Sequence, residues 1–143
     1  MTNNGSPLTA IALSDQDKAT IRTAAFGAIT LLSFADVAGS PHKVATHGTL
    51  ALNSATGLVG HVLSAKSKDF KLQTKSGAVL ADQVFPALAA SVALLDAHDP
   101  AEADNFRATI AVALDAAARA GRGVPSAPLT EMIRKITEVL ATA

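Results

Sequence analysis

The chain has 143 residues and contains no cysteine, tryptophan or tyrosine. Twelve basic and twelve acidic side chains give a formal net charge of zero, and 49% of the residues are hydrophobic. A chain of this length and apolar content can bury a core of its own, which excludes disorder as its default state. The missing cysteines exclude a disulfide scaffold and thiolate chemistry, and the balanced charge removes whole-chain attraction to nucleic acid or to an anionic membrane.

The first thirteen residues are expected to form a flexible tail ahead of one helical domain over residues 14–143. No basic stretch precedes the short apolar run after Pro7, so a signal peptide is not expected. The uncharged stretch 44–65 is long enough to span a bilayer, but its histidines, hydroxyl side chains and glycines argue against a membrane span. We therefore expect a soluble, cytoplasmic protein.

A first helix is predicted to begin at Ser14, because a hydroxyl cap followed by Asp15 and Asp17 favours the positive end of the helix dipole. Its apolar residues wrap around most of its faces, which indicates a buried helix ending near Asp36 and Gly39.

Ser40 and Pro41 predict the next helix start, leading into the uncharged stretch 44–65. Its glycines fit a straight helix and a helix broken near Gly57 equally well. Since glycine allows a neighbouring backbone to approach closely, this stretch is expected in the middle of the fold.

Residues 66–77 predict a loop, in which Phe70 to Thr74 alternate enough to form a short extended piece. Residues 78–95 predict a helix that Pro86 should bend or split. Asp99, Pro100 and Glu102 form the strongest local signal, a cap with an N1 proline and a first-turn carboxylate. That helix should end near Gly121, and a last amphipathic helix carries Leu129, Ile133, Ile136 and Leu140. No segment alternates as a strand does. The fold class predicted is all-α, a compact single-domain bundle of five or six helices.

Four side chains are candidates for binding a ligand. They are His47, Asn53, His61 and Asp82. The histidines lie fourteen residues apart, too far along one helix to share an ion, and no histidine has a partner at metal-ligand spacing, so no metal or cofactor is predicted. Asp82 interrupts an apolar segment and is either a buried acid or an exposed polar residue. An enzyme would have to use Asp82, His47 or His61 as acid or base, but no nucleophile is evident.

A cluster of four lysines is the one concentration of charge. It consists of Lys66, Lys68, Lys71 and Lys75. The cluster is either a solvated loop or a contact for an acidic partner, a phosphate or an anionic head group. Nucleic acid is not expected as a partner, because arginines, aromatics and a net basic domain are missing.

Two helix–loop–helix segments resemble the small helical domain of TerB-like tellurite-resistance proteins. The first runs from Ala35 through Asp36 and Gly39 towards His42, and the second from Ala118 through Gly121 and Ser126 to Glu131. In that family, acidic loop positions could hold a cation. Here Arg119 and Arg122 occupy those positions in the second loop and only Asp36 remains in the first, so the resemblance implies architecture without metal binding.

The pattern favours a non-enzymatic interaction module that forms homo-oligomers or docks a protein partner, because so apolar a chain has surface to spare. The alternative is a small-molecule or lipid-binding protein with a pocket between helices, lined by residues 44–65 and holding a small apolar ligand.

Overall fold

The computed structural model describes residues 13–36, 41–65, 70–120 and 124–143. Within these ranges the chain forms six helices and no strand, which confirms the predicted all-α bundle. The helices are α1 (Asp15–Ala35), α2 (Pro41–Asn53), α3 (Gly57–Ser64), α4 (Gly77–His98), α5 (Pro100–Ala118) and α6 (Ala127–Thr142). The predicted tail up to residue 12, Gly39, Ser40 and Gly121 lie outside the described residues.

Helix α1 lies at the centre of the bundle and packs against every other helix. It begins as predicted, since Ser14 Oγ accepts a hydrogen bond from the Asp17 amide at 3.0 Å while the Asp17 carboxylate accepts one from the Ser14 amide at 3.1 Å. Stretch 44–65 was expected in the middle of the fold. Its helix α2 buries Val44, Gly48 and Leu52, its helix α3 buries Val59, Gly60, Val62 and Leu63, and most of its remaining residues are exposed or half-buried.

Helices α1 and α4 pack antiparallel in a register that two contacts define. Ser91 Oγ donates to the Thr20 carbonyl oxygen at 3.4 Å, and two turns further along α1 a Cβ at Gly27 would collide with the Val84 side chain. A step of seven residues forward along α1 therefore matches a step of seven residues backward along α4. Seven residues make about two helical turns, after which the same helix face returns. The missing side chain at Gly27 is therefore what allows this close approach.

Stretch 44–65 is broken where Gly57 permits it, which resolves the alternative left open by the sequence. Gly57 has a φ of 69°, a left-handed conformation that costs glycine little and other residues more. The short helix α3 follows. Its C-terminal end is held by Arg22 of α1, a side chain only 4% exposed, whose Nε donates to the Val62 carbonyl oxygen at 3.0 Å.

Helix α4 continues through Pro86, so this proline does not split it. By length and composition α4 is the one described helix apolar enough to cross a membrane, a criterion that core helices of soluble proteins also meet. In the bundle it packs against α1, α5 and α6.

The extended segment before α4 is fastened to the bundle by one glutamine. The Gln83 side chain accepts a hydrogen bond from the Gln73 amide at 2.7 Å and donates one to the Lys71 carbonyl oxygen at 2.8 Å. Phe70 stacks on Phe26 of α1, with ring centroids 5.8 Å apart. Residues 70–76 form the predicted loop, residues 66–69 lie outside the described residues, and Gly77 already belongs to α4.

The C-terminal half begins at the predicted cap, where Asp99 accepts a hydrogen bond from the Ala101 amide at 3.0 Å. Helix α6 is joined to α5 through Arg107, whose Nε donates to the Leu140 carbonyl oxygen at 3.0 Å. That carbonyl lies in the last turn of α6. Arg107 of α5 therefore caps the C-terminal end of α6, just as Arg22 of α1 caps that of α3.

Candidate functional site

A shallow groove of about 230 Å³ lies between the end of α2 and the middle of α5. Its walls come from the two helices and from the turn that joins α2 to α3. The lining residues are Ala51, Ser54, Ala55, Thr56, Asn105, Ala108, Thr109 and Val112. Stretch 44–65 therefore contributes half of the lining, although the four predicted ligand-binding side chains do not take part.

Two side chains of α5 hold the turn that forms one wall of the groove. Glu102 Oε1 accepts a hydrogen bond from the Val59 amide at 3.2 Å, and Asn105 Nδ2 donates to the Thr56 carbonyl oxygen at 2.9 Å. Thr56, the N-cap residue of α3, makes no side-chain cap hydrogen bond of its own. The carboxylate of Glu102 takes that place at the positive end of the α3 dipole.

Three polar side chains along the groove, those of Ser54, Asn105 and Thr109, are hydrogen-bonded within the protein. Ser54 Oγ donates to the Ala51 carbonyl oxygen at 2.7 Å, and Thr109 Oγ1 donates to Asn105 Oδ1 at 3.5 Å. The groove therefore offers a mixed surface in which hydroxyl and amide groups lie beside methyl groups, and none of its lining residues is charged.

Two large aliphatic side chains are exposed on the helices that form this groove. Leu50 of α2 is 62% exposed and precedes the wall residue Ala51 in the chain, while Val112 is 59% exposed and is itself part of the α5 wall. Ala108, also in the α5 wall, is exposed, and α2 packs on α5. We call Leu50, the groove and Val112 the α2–α5 face.

Two of the predicted ligand-binding residues border this face. His47 and Asn53 are exposed and lie three residues before and after Leu50, which places them on the same side of α2. They are positioned as a polar margin to an apolar surface.

The other two candidates lie elsewhere. His61 is exposed on α3, and Asp82 is exposed on α4. Of the two predictions made for Asp82, a buried acid or an exposed polar residue, the structure shows the second. The three residues considered as an acid or base, His47, His61 and Asp82, sit on three different helices. Across the described ranges, no group of three or more histidine or acidic side chains is placed to hold a metal ion.

The lysine cluster is described only in part, because Lys66 and Lys68 lie outside the described residues. Lys75 is exposed, and Lys71 lines a second groove of about 290 Å³ between α1, α4 and the segment before α4. Gln83 and Thr20 also line it, and both are already hydrogen-bonded to backbone carbonyls. The Gln83 bond fastens the loop before α4, while the Thr20 bond runs to Gln16 within α1.

A network of three charged side chains lies on α6. Arg134 Nη2 approaches Glu131 Oε2 at 2.6 Å, and Arg134 Nη1 approaches Glu138 Oε2 at 3.2 Å. The hydrogen bond from Arg134 holds the pKa of the Glu131 carboxyl below its usual value. All three side chains are well exposed, which is typical of a solvated helix surface.

Sequence reasoning did not single out Leu50 or Val112. Their signal is an aliphatic residue that falls outside the apolar stripe of its helix: Val112 lies off the line through Phe106, Ile110 and Leu114. Single exposed aliphatic residues are common, and only the packing of α2 on α5 shows that these two lie on helices that share one groove.

No protein-family model matches the chain, and comparisons with the curated proteins and with the solved structures give no match either.

Proposed function

We propose that this protein is a non-enzymatic interaction module that self-associates through the α2–α5 face. The observation that supports the proposal is the exposure of Val112 in the wall of an uncharged groove and of Leu50 on α2, the helix that forms the opposite wall. Burying one such side chain contributes roughly 1.5–3 kcal/mol, and exposed apolar side chains are common contributors to protein interfaces. With a formal net charge of zero, the chain also has little long-range repulsion to overcome when two copies meet.

Sedimentation velocity from micromolar to millimolar protein tests the proposal. A self-associating module should show a weight-average mass that rises with concentration towards a multiple of the 14.5 kDa chain. A single 14.5 kDa species over the whole range would refute the proposal.

The same groove supports a second candidate, a protein that binds a small apolar ligand. Stretch 44–65 lines half of the groove, as this alternative requires. Its volume of about 230 Å³ nevertheless falls below the roughly 300–1,000 Å³ of ordinary ligand pockets, which favours a protein side chain as the occupant. Native mass spectrometry of the gently purified protein distinguishes the two, because a bound ligand adds a reproducible low mass.

A further inference from the structure

The start of helix α3 differs from the starts of four other described helices. Helices α1, α4, α5 and α6 each begin at a serine or aspartate whose side chain accepts a hydrogen bond from an amide of the first turn. Thr56, at the start of α3, makes no such bond. The Val59 amide donates instead to Glu102 of α5, so another helix holds the N-terminal end of α3.

The composition of α3 also disfavours a helix that stands alone. Its eight residues, Gly57–Ser64, include two glycines and two valines, which are weaker helix formers than alanine or leucine. An isolated helix of this length is unstable in water, because the first turn costs more conformational entropy than so few hydrogen bonds return. Its helical state therefore depends on its contacts with α1, α2 and α5.

Polar contacts fasten α3 at both ends, and a glycine separates it from α2. Hydrogen bonds of 2.9–3.2 Å from Arg22, Glu102 and Asn105 hold α3 and the turn before it to α1 and α5. Arg22 is only 4% exposed, so separation of α3 would return its guanidinium to water and offset part of the cost of uncovering apolar side chains. Gly57, with its φ of 69°, has access to the backbone conformations that a hinge requires.

From these observations we infer that α3 is a hinged lid, which opens about Gly57 as a local unit with Glu102 as its latch while the other described helices stay packed. Lids and other moving elements come from the segments of lowest local stability. This lid covers apolar surface, since Val59, Val62 and Leu63 are buried in the core cluster. Opening therefore uncovers a part of α1, α2 and α5 that the closed molecule hides.

The inference goes beyond the proposed function and does not depend on it. A chain that stays monomeric at all concentrations would refute self-association and leave the lid untouched. A helix α3 that never opens by itself would refute the lid and leave self-association in place.

Thiol labelling tests the lid, because the chain has no cysteine of its own. Val62→Cys places a thiol on the buried side of α3, and Val92→Cys is the matched control, since both valines are buried and Val92 lies on α4. In native buffer, Val62→Cys should react with N-ethylmaleimide faster than Val92→Cys by about tenfold or more. Below the unfolding transition, urea should scarcely change the Val62→Cys rate and should steeply raise the Val92→Cys rate, because the surface exposed on opening sets the urea dependence.

Hydrogen exchange of the unsubstituted chain gives the same test without a variant. Measured by NMR, the amides of residues 60–64 should exchange faster than those at the centres of α1 and α5 by about tenfold or more. Their exchange should likewise depend little on urea. This measurement decides the question even if a cysteine variant fails to fold.

Glu102→Ala in the Val62→Cys background tests the latch. Loss of the cap on α3 should raise the labelling rate about tenfold, the effect of losing an ordinary helix cap. Asp104→Ala is the control, because this carboxylate also lies on α5 but is 80% exposed and pairs with Arg107. It should leave the labelling rate unchanged.

The outcomes separate clearly. Fast labelling of Val62→Cys alone, weakly dependent on urea and raised by Glu102→Ala, supports the inference. Equal rates and equal urea dependence at the two cysteines, with α3 amides exchanging no faster than the core, overturn it, because α3 then opens only when the whole bundle unfolds. A fast rate that Glu102→Ala leaves unchanged overturns the assignment of Glu102 as the latch.

Discussion

Glu102 Oε1 lies 3.2 Å from the amide nitrogen of Val59 and caps a helix to which it does not belong. Together with Arg22, which donates to the Val62 carbonyl oxygen at the other end, it brackets the eight-residue helix α3 with a carboxylate at its positive pole and a guanidinium at its negative pole. So short a helix is not stable by itself in water. Its position, and with it one wall of the groove, depends on these side chains.

Replacing Glu102 should therefore destabilise the protein. Glu102→Ala removes the cap of α3 and is expected to lower the free energy of unfolding by about 1–2 kcal/mol. Glu102→Gln keeps an oxygen acceptor and should cost about half as much. Urea denaturation followed by circular dichroism measures both. Asp104→Ala is the control, since this carboxylate is 80% exposed in its pair with Arg107 and its loss should cost at most about 0.5 kcal/mol. Equal effects at Glu102 and Asp104 would contradict the capping role.

Gly57 should not tolerate a side chain. At its φ of 69° alanine is strained by about 1 kcal/mol, and its Cβ would lie 2.9 Å from Glu102 Oε2, so the cap must shift as well. We expect Gly57→Ala to cost about 1–2 kcal/mol in thermal or urea unfolding. Gly77→Ala should be neutral or stabilising, because its Cβ would meet Phe34 at an ordinary 3.6 Å in a helical position. A neutral Gly57→Ala would mean that the turn can be rebuilt without positive φ.

Arg22 should be among the polar side chains whose loss costs most. It is buried, and without it the Val62 carbonyl oxygen loses its donor in the interior. Arg22→Met preserves much of the apolar stem, yet we expect a loss of about 2–4 kcal/mol by urea denaturation. Arg119→Ala removes an exposed arginine paired with Asp115 and should change stability by no more than about 0.5 kcal/mol. Similar losses for the two variants would show that burial of Arg22 carries no special cost.

Local signals in the sequence were enough to place the helices. Ser14 and Asp99 cap where hydroxyl and carboxylate caps are expected, and Gly57 marks the break in stretch 44–65. The contacts of Arg22 and Glu102 were beyond such reasoning, because their partners lie 40 and 43 residues away along the chain.

The candidate site was only half predictable for the same reason. Stretch 44–65 was expected to line a pocket with His47 and Asn53 inside. Four of its residues line the groove, Ala51, Ser54, Ala55 and Thr56, whereas His47 and Asn53 are exposed and are not among the lining residues. The pattern of apolar residues within α2 alone does not reveal which of its faces α5 covers in the folded protein. The predicted TerB-like resemblance stays a prediction, since residues 37–40 and 121–123 of its two loops lie outside the described ranges.

The Glu131–Arg134 pair predicts a pH effect of defined sign. Because the hydrogen bond from Arg134 lowers the pKa of Glu131 in the folded state, the carboxylate contributes stability above its ordinary pKa of 4.5, and this contribution is lost as the pH falls through the lowered folded value. By NMR titration, Glu131 should titrate below 4.5 and return towards that value in Arg134→Gln. High salt should weaken the shift, since the pair is exposed. An unchanged Glu131 titration in Arg134→Gln would rule out Arg134 as the cause.

The close approach of α1 and α4 predicts a coupling between Gly27 and Val84. Gly27→Ala adds a methyl group where the Val84 side chain already lies, and overpacking of this kind costs about 1–3 kcal/mol. Val84→Ala leaves a cavity in a fully buried position and should cost about as much. In the double variant the new methyl group can enter the space that Val84 vacates, so the two losses should not add, and a double-mutant cycle should give a favourable coupling of about 1–2 kcal/mol. Gly27→Ala combined with Leu114→Ala is the control, because Leu114 is buried on α5 and is not among the atoms that crowd Gly27. Strict additivity for Gly27 and Val84 would mean that α1 and α4 move apart to accept the methyl group, and that the register is held by the rest of the interface.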